Sequence, residues 1–537
     1  MPSQPLIPLL PTRSRYSTGA DVEIEVRTAG PGRLVVRHLG AVVGTADAAG
    51  PGTVSLGALA AGGYGVDLET ADGTPVARTA VLVTDEPRGR MRYGFVASYA
   101  PDKDVAAVVD LARRLHLDAV QLYDWAYRHA DLMGGGETYA DPLGQPIALD
   151  TVRRLAAGLA AAGTDALGYA AVYGVGSEEW PAWSHRALLR ADGEAWSLGD
   201  FLTLVDPGAP DWQEHLVGDL RAAVAAVGLH GFHLDQYGYP RWAGLVGGGA
   251  VDLSRSFRAL IEAVRTGLPD ARLVFNNVND FPTRATADAP QDAVYIEVWP
   301  PHTTLGSLAR LVERARAARD GRPVVIAAYQ HVYEVAPRSE ADLSTSFTMA
   351  TLFSHGATQL LAGEQGNLLV DPYYVRNRPA EPETLALLQR WYDFLVEHDE
   401  LLMAPGAADV SGAWVGAYND ALDVRFAAAP TTDGPTPGGV WRRVVQVGEL
   451  LVVHLINLAG QADTEWDAPR AVPADPGAGT LRVKRAGSAV PVVRVADPDR
   501  GGHLTDVAVE LDGEDAVAVL PPPHVWQTVV VDLRGRR

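Results

Sequence analysis

The rhythm of hydrophobic and polar positions changes twice along the 537 residues. From about 20 to 88 it has a period of two. Val22-Glu23-Ile24-Glu25-Val26 alternates strictly, and Arg33-Leu34-Val35-Val36 and Val81-Leu82-Val83 are further short runs. Strand side chains alternate between faces, so these runs predict strands. Gly, Pro and Asp-Gly signals break them at short spacing, which predicts a small immunoglobulin-like sandwich. From Arg92 onward strand-like runs alternate with helical periodicity. Eight strands are expected, at 93–98, 119–125, 166–173, 231–236, 273–277, 294–299, 324–329 and 358–361. Helices are expected at 104–115, at 211–227 with Asp211 as N-cap, at 305–318 and at 383–395. The alternation predicts a parallel sheet, and eight β/α units in about 310 residues predict a (β/α)8 TIM barrel with long loops. A doubly wound sheet competes, but the Gly-rich first turn it needs is missing. After about Leu402 short apolar runs return, among them Val444-Val445-Gln446-Val447 and Leu451-Val452-Val453-His454-Leu455-Ile456, with 430–439 read as a loop between strands. They predict a C-terminal antiparallel β-sandwich. The expected domains are therefore an immunoglobulin-like β-domain over 1–89, a catalytic barrel over 90–404 and a β-sandwich over 405–537.

The ends of the barrel strands carry the chemistry. Tyr123-Asp124-Trp125, Asp235-Gln236-Tyr237, Asn276-Asn277-Val278-Asn279-Asp280, Glu297-Val298-Trp299 and Tyr329-Gln330-His331 each close a predicted strand. Barrel enzymes build their sites at that end. In Gly231-Phe232-His233-Leu234-Asp235, alternation turns His233 and Asp235 one way and Phe232 and Leu234 the other. A carboxylate at the end of a core strand is costly unless paired or used. Asp235 on the fourth strand and Glu297 on the sixth can both reach a ligand at the mouth. Glycoside hydrolysis needs two such groups, one attacking carbon or activating water and one protonating the leaving oxygen. Their spacing, about 5–5.5 Å for retention or 6.5–9.5 Å for inversion, is not legible in sequence. Trp125, Trp299, Tyr237, Tyr239 and Tyr329 offer flat faces for pyranose rings, and Gln236, Asn276, Asn277 and Asn279 offer amides for hydroxyls. Tyr123, Asp124, Tyr127 and His129 complete the expected substrate contacts. His233 lies one layer deeper, where it is expected to orient Asp235. Glu364, in Gly363-Glu364-Gln365-Gly366-Asn367, argues against phosphate and for sugar hydroxyls at that loop. Asp371-Pro372-Tyr373-Tyr374 either lines the cleft or packs a loop.

Composition narrows the ligand. Formal net charge is -21, which opposes nucleic-acid or anionic-membrane partners and does not penalise a neutral sugar. There is no cysteine, so disulfides and thiolate metal sites are excluded. The 14 histidines form no His-Glu-x-x-His or His-x-His pattern, so neither a metal nor a cofactor is expected. Gly247-Gly248-Gly249 lacks the Lys-Ser/Thr of a phosphate loop. No apolar run reaches the roughly 18 residues of a membrane span. The first residues, Met1-Pro2-Ser3-Gln4-Pro5-Leu6-Ile7-Pro8, lack a charged region followed by an apolar core. The expectation is a cytoplasmic protein, or an extracellular one if a signal has been removed.

The chain resembles glycoside hydrolase family 66, the dextranases and cycloisomaltooligosaccharide glucanotransferases. The resemblance rests on Arg92-Tyr93-Gly94-Phe95, on Val120-Gln121-Leu122-Tyr123-Asp124-Trp125-Ala126-Tyr127-Arg128-His129, on the Asp235 and Glu297 stretches, and on Trp391-Tyr392-Asp393-Phe394-Leu395. It covers most of 90–405. It implies a retaining mechanism on α-1,6-glucan, with Asp235 as nucleophile and Glu297 as general acid/base. It also implies the same flanking β-domains. Glu297 must begin protonated, so its surroundings should be less polar than those of Asp235. Cyclising members usually carry a carbohydrate-binding module inserted in the barrel. No β-rich insertion is expected within 92–402, which favours a dextranase over a cyclising transferase. A non-catalytic glucan-binding protein is the reading from another class.

Overall fold

Strict alternation in the sequence becomes strict alternation in burial. In Asp21–Val26, Val22, Ile24 and Val26 are buried while Asp21 and Glu23 are exposed. The computed structural model describes residues 8–318, 321–416, 418–485 and 487–535. Residues 1–7, on which the reading of the N-terminal segment mostly rests, lie outside these. Leu9–Pro11, Asp21–Val26 and Gly52–Ala58 form one antiparallel sheet. It faces a second sheet of Ala41–Ala48, Gly32–His38, Gly62–Glu69 and Pro75–Val83 over a core of Val22, Ile24, Leu34, Val36, Val66 and Val81.

The central sheet is parallel, and its strands run in chain order: β1 Tyr93–Val96, β2 Ala119–Leu122, β3 Asp165–Ala171, β4 Gly231–Asp235, β5 Arg272–Val278, β6 Ala293–Glu297, β7 Val324–Ala327 and β8 Ala357–Gln359. Closure passes through the end of β8. Ala357–Gln359 pairs with β7, and four residues later Gly363 pairs with Phe95 of β1. A Cβ at Gly363 would sit 2.2 Å from the Phe95 carbonyl oxygen, so this seam requires glycine. Inward side chains form a core of their own, including Tyr93, Phe95, Leu167, Val274, Tyr295 and Val325. The alternate positions Phe232, Leu234, Phe275, Ile296 and Ile326 face the helices.

Helices Val105–Arg114, Pro210–Val227, Leu305–Ala318 and Pro382–Glu397 lie where periodicity placed them. Asp104 caps the first, accepting from the Ala107 N–H at 3.0 Å. Asp211 does not cap the second. Pro occupies its first position and Ala209 its cap, so Asp211 lies in the first turn and pairs with Arg186. Seven of the eight strands stop earlier than apolar patterning suggested, while β5 runs one residue further, to Val278. Four of the six non-glycine residues with positive φ among the described residues follow barrel strands: Asp124, Asn279, Asp280 and Glu364. A left-handed residue turns the chain out of the strand, so the polar ends become rim. The barrel is also interrupted, though not by a module-sized insertion. Its loops carry three small antiparallel sheets: Thr138–Ala140 with Pro146–Ala148; Gly174–Gly176, Leu202–Leu204 and Ser197–Leu198; and Leu188–Leu189, Trp242–Leu245 and Ala250–Asp252.

The C-terminal region is a sandwich of two sheets, one led by Val440–Val447, Leu450–Asn457 and Trp526–Asp532, the other by Leu422–Phe426, Gly479–Lys484 and Asp515–Leu520. Within 430–439, expected to be loop, Thr431–Thr432 pairs in parallel with Val440 and Trp441. The sandwiches meet the last barrel helix at a charge cluster. His503 lies 2.7 Å from Glu397 and 2.5 Å from Asp67, and Arg78 also pairs with Glu397. No helix among the described residues is long and apolar enough to cross a membrane.

Candidate active site

Parity along the strands assembles the site. Ala171 of β3 is in register with Asp235 of β4, and Val278 of β5 with Glu297 of β6. Both carboxylates end inward-facing rows, so they emerge at the mouth on either side of Asn276. The Asn276 Nδ2 donates to Asp235 Oδ1 at 2.7 Å and to Glu297 Oε2 at 2.8 Å. One nitrogen holding two oxygens limits their separation to the sum of the two bonds, at most 5.5 Å. The Tyr169 hydroxyl donates to Asp235 Oδ2 at 2.8 Å, and the Trp299 Nε1–H donates to Glu297 Oε1 at 3.1 Å.

The two carboxyl groups differ in proton affinity. Burial pushes Asp235 up to about 6, while hydrogen bonds from Asn276 and Tyr169 oppose the shift. Burial pushes Glu297 up to about 7, with the Asp235 charge adding to it and hydrogen bonds from Asn276, Trp299 and Tyr329 opposing it. Desolvation penalises both anions, and the second charge falls harder on Glu297. The pair is thus arranged to hold one proton, preferentially on Glu297. Asp124, with φ 47, is held well above the ordinary carboxylate range by burial first and then by Asp141 and Asp235.

The cleft has a volume of about 470 Å3. Of the expected residues it gathers Tyr123, Asp124, His129, His233, Asp235, Gln236, Tyr237, Asn276, Asn279, Glu297, Trp299 and Tyr329. Some of these are occupied differently than expected. His233 bonds to the Tyr93 hydroxyl at 3.1 Å and packs between Tyr93 and Tyr169, and burial lowers it to about 3. Tyr169 and Asn276, not His233, hold Asp235. Gln236 spends its amide on loop backbone, donating to the Asn276 and Phe281 carbonyls and accepting from the Gly238 N–H. Asn279 bonds to Pro300 and Trp299 backbone across the rim.

Five expected contacts are not among the cleft lining, and one of them, Tyr239, donates its hydroxyl to the Ser197 carbonyl at 3.0 Å. Trp125 is fully buried, its indole N–H bonded to the Tyr169 carbonyl, and it shows no face to a ligand. Asn277 has the parity opposite to Asn276, so it points to the helix layer and bonds to the Phe275 and Tyr295 carbonyls and the Thr286 hydroxyl. Tyr127 packs under the Arg128 guanidinium at 4.1 Å. Glu364 is buried, accepting from the Ala97 N–H at 2.6 Å and pairing with Lys103. Tyr169 and Tyr295 line the cleft unexpectedly, and Tyr374 lines it as the first of the two readings of its loop. Strand parity could have found the first two, since Tyr169 pairs with His233 and Tyr295 with Asn276. Tyr374 stacks on Tyr123 with ring centres 4.3 Å apart. Its neighbours Pro372 and Tyr373 also line the cleft. Arg241, Phe201 and Leu202 come from the long loops, for which patterning gave no signal. No group of three His, Asp or Glu side chains among the described residues is placed to hold a metal ion.

The profile of Glycosyl hydrolase family 66 matches residues 12–530. The chain belongs to glycosyl hydrolase family 66. Relatives of this family 66 chain include a cycloisomaltooligosaccharide glucanotransferase of Niallia circulans, 26% identical over 330 residues covering 55% of this chain and 33% of that protein. They also include a dextranase of Streptococcus salivarius, 23% identical over 308 residues, covering 49% and 37%. The match thus spans about a third of the length of these relatives. A Paenibacillus sp. cycloisomaltooligosaccharide glucanotransferase, solved with cycloisomaltoheptaose, superposes with a TM-score of 0.86 at 19% identity over 97% of this chain and 99% of that one. An α-amylase of Geobacillus thermoleovorans, solved with acarbose, reaches 0.51 at 12% identity over 83% and 98%. These last two likenesses are of fold.

Proposed function

We propose that this family 66 chain breaks α-1,6-glucosidic linkages of dextran or isomalto-oligosaccharides with net retention of configuration. The observation that carries the reading is the pair of carboxylates bridged by one amide nitrogen. The bridged oxygens, Asp235 Oδ1 and Glu297 Oε2, lie at most 5.5 Å apart, which matches the spacing of about 5–5.5 Å in retaining glycosidases better than the 6.5–9.5 Å of inverting ones. Asp235 is the nucleophile, its anion held by Tyr169 and Asn276. Glu297 protonates the glycosidic oxygen while Asp235 forms an ester with the anomeric carbon. Glu297, now ionised, takes a proton from the acceptor, which attacks and frees the sugar. The aromatic cleft and net charge of -21 suit a neutral polyhydroxyl ligand. The linkage follows the names of the relatives.

The acceptor separates two outcomes. The lack of a module-sized insertion in the barrel favours water and a dextranase. The relatives favour a sugar hydroxyl, because glucanotransferases provide the stronger sequence matches. We therefore place intramolecular transfer ahead of hydrolysis. Dextran incubated with the protein and resolved by chromatography should give cyclic isomalto-oligosaccharides, with linear ones as the hydrolytic alternative. Proton NMR of the first product should show α configuration at the anomeric carbon transferred, as an α-1,6 linkage in a ring or as an α reducing end in a linear product. β configuration at that carbon in the first product rejects the mechanism, and intact dextran with intact isomalto-oligosaccharides rejects the activity.

The proton affinities set a pH profile. Below about 6 Asp235 protonates and the nucleophile is lost; above about 7 Glu297 ionises and the acid is lost. The kcat/KM profile should be a narrow bell between limbs that belong to the coupled pair. Asn276→Ala removes a donor that lowers both groups. Both limbs should move to higher pH, with kcat/KM at the optimum falling on the order of a hundredfold from lost positioning. Unmoved limbs would show that Asn276 does not couple the carboxylates.

A further inference from the structure

We propose that a second cavity, formed between the barrel and the C-terminal sandwich, is a subsite for a further glucose unit of the α-glucan chain. The proposal rests on the function just given. The cavity measures about 380 Å3, and Trp299, Tyr329 and Pro372 line both it and the active-site cleft. A chain occupying the first space can therefore run over the Trp299 and Tyr329 rings into the second. Those rings are 5.9 Å apart and tilted by 57°, giving two differently oriented apolar faces.

The lining has the mixed chemistry of a sugar site. Val298, Val370 and Trp466 supply apolar surface, and His331, Asp371, Glu465 and Asp467 supply polar groups. Pyranose rings present C–H faces to aromatics and hydroxyl edges to carboxylates and imidazoles. No Lys or Arg lines the cavity, which disfavours an anionic ligand.

The sandwich side of the cavity is held in place from two directions. Toward the loop after β6, the Trp466 backbone N–H donates to the Thr303 carbonyl at 3.0 Å and its indole N–H to the His302 carbonyl at 2.7 Å. Toward the helices after β7, Asp467 accepts from the Val332 N–H at 2.8 Å and the Ser344 hydroxyl donates to the Trp466 carbonyl at 2.7 Å. The 463–467 segment is thus part of the barrel mouth. This gives the C-terminal sandwich a binding role beyond covering the barrel.

Glu465 and His331 are exposed and line the second cavity but not the active-site cleft, so they can be altered without disturbing the chemistry. Two variants test the subsite: His331→Ala combined with Glu465→Ala, which removes two of the polar groups, and Glu465→Trp, which fills the space. For linear isomalto-oligosaccharides of increasing length, kcat/KM of the unaltered protein should rise with each added unit until the second cavity is filled. Both variants should lose about tenfold on the longest substrates and stay within about twofold on the shortest one cleaved. An unchanged length profile in both variants overturns the subsite. If the unaltered protein cleaves no α-1,6-glucan, the functional reading falls, and calorimetric titration with the same oligosaccharides decides the subsite alone. Binding that Glu465→Trp abolishes supports it; no binding, or binding unaffected by Glu465→Trp, overturns it.

Discussion

Asp235→Asn should lower turnover of α-1,6-glucan by about four orders of magnitude or more while leaving the fold intact. Asn has nearly the same shape as Asp and no anion. The amide's single oxygen can accept from Asn276, and the Tyr169 hydroxyl, which can also accept, can turn to take the amide N–H. The covalent step fails, because an amide does not form the ester on which both half-reactions depend. The variant should bind isomalto-oligosaccharides and show an unchanged circular dichroism spectrum. Near-normal turnover by the folded variant would remove Asp235 from the nucleophile's role. A second test uses Asp235→Ala with azide on an activated α-glucosyl substrate. Azide entering the vacated space attacks the face that Asp235 would have used, so the expected product is the β-glucosyl azide.

Glu297→Ala should respond to azide with the opposite stereochemistry. Without the acid, natural linkages should be cleaved on the order of 10^3-fold or more slowly, since a sugar alkoxide is a poor leaving group. An activated aryl glucoside leaves without protonation, so Asp235 should still form its ester. The ester then waits, because no base remains to activate an acceptor. Azide needs no base, and its attack should restore turnover and give the α-glucosyl azide. A β product, or no rescue in a folded variant that still forms the ester, would displace Glu297 from the acid/base role. The pair of opposite anomers separates the roles of the two carboxyl groups, which simple inactivation cannot do.

The site was partly legible because strand parity is local. Phe232 and Leu234 face the helices while His233 and Asp235 face inward, as alternation required. The same rule divides Asn276 from Asn277, although the residue type suits hydroxyls at both positions. Trp125 shows the complementary failure. Its ring would suit a pyranose, but Asp124 at φ 47 turns the chain and sends the indole into the core. Residue type indicates a capability, while backbone direction decides where it is used.

Period-two and helical patterning were enough to establish a barrel between two β-sandwiches, since both follow from which residues must leave water. They also sufficed to place Asp235 and Glu297 on the fourth and sixth strands, because position along a strand is a property of the chain alone. The distance between those carboxylates, the amide joining them, the order of their proton affinities and the second cavity against the C-terminal sandwich required the folded molecule. Each depends on residues far apart in sequence meeting through register, closure and domain packing: 41 positions separate Asp235 from Asn276, and 164 separate His302 from Trp466.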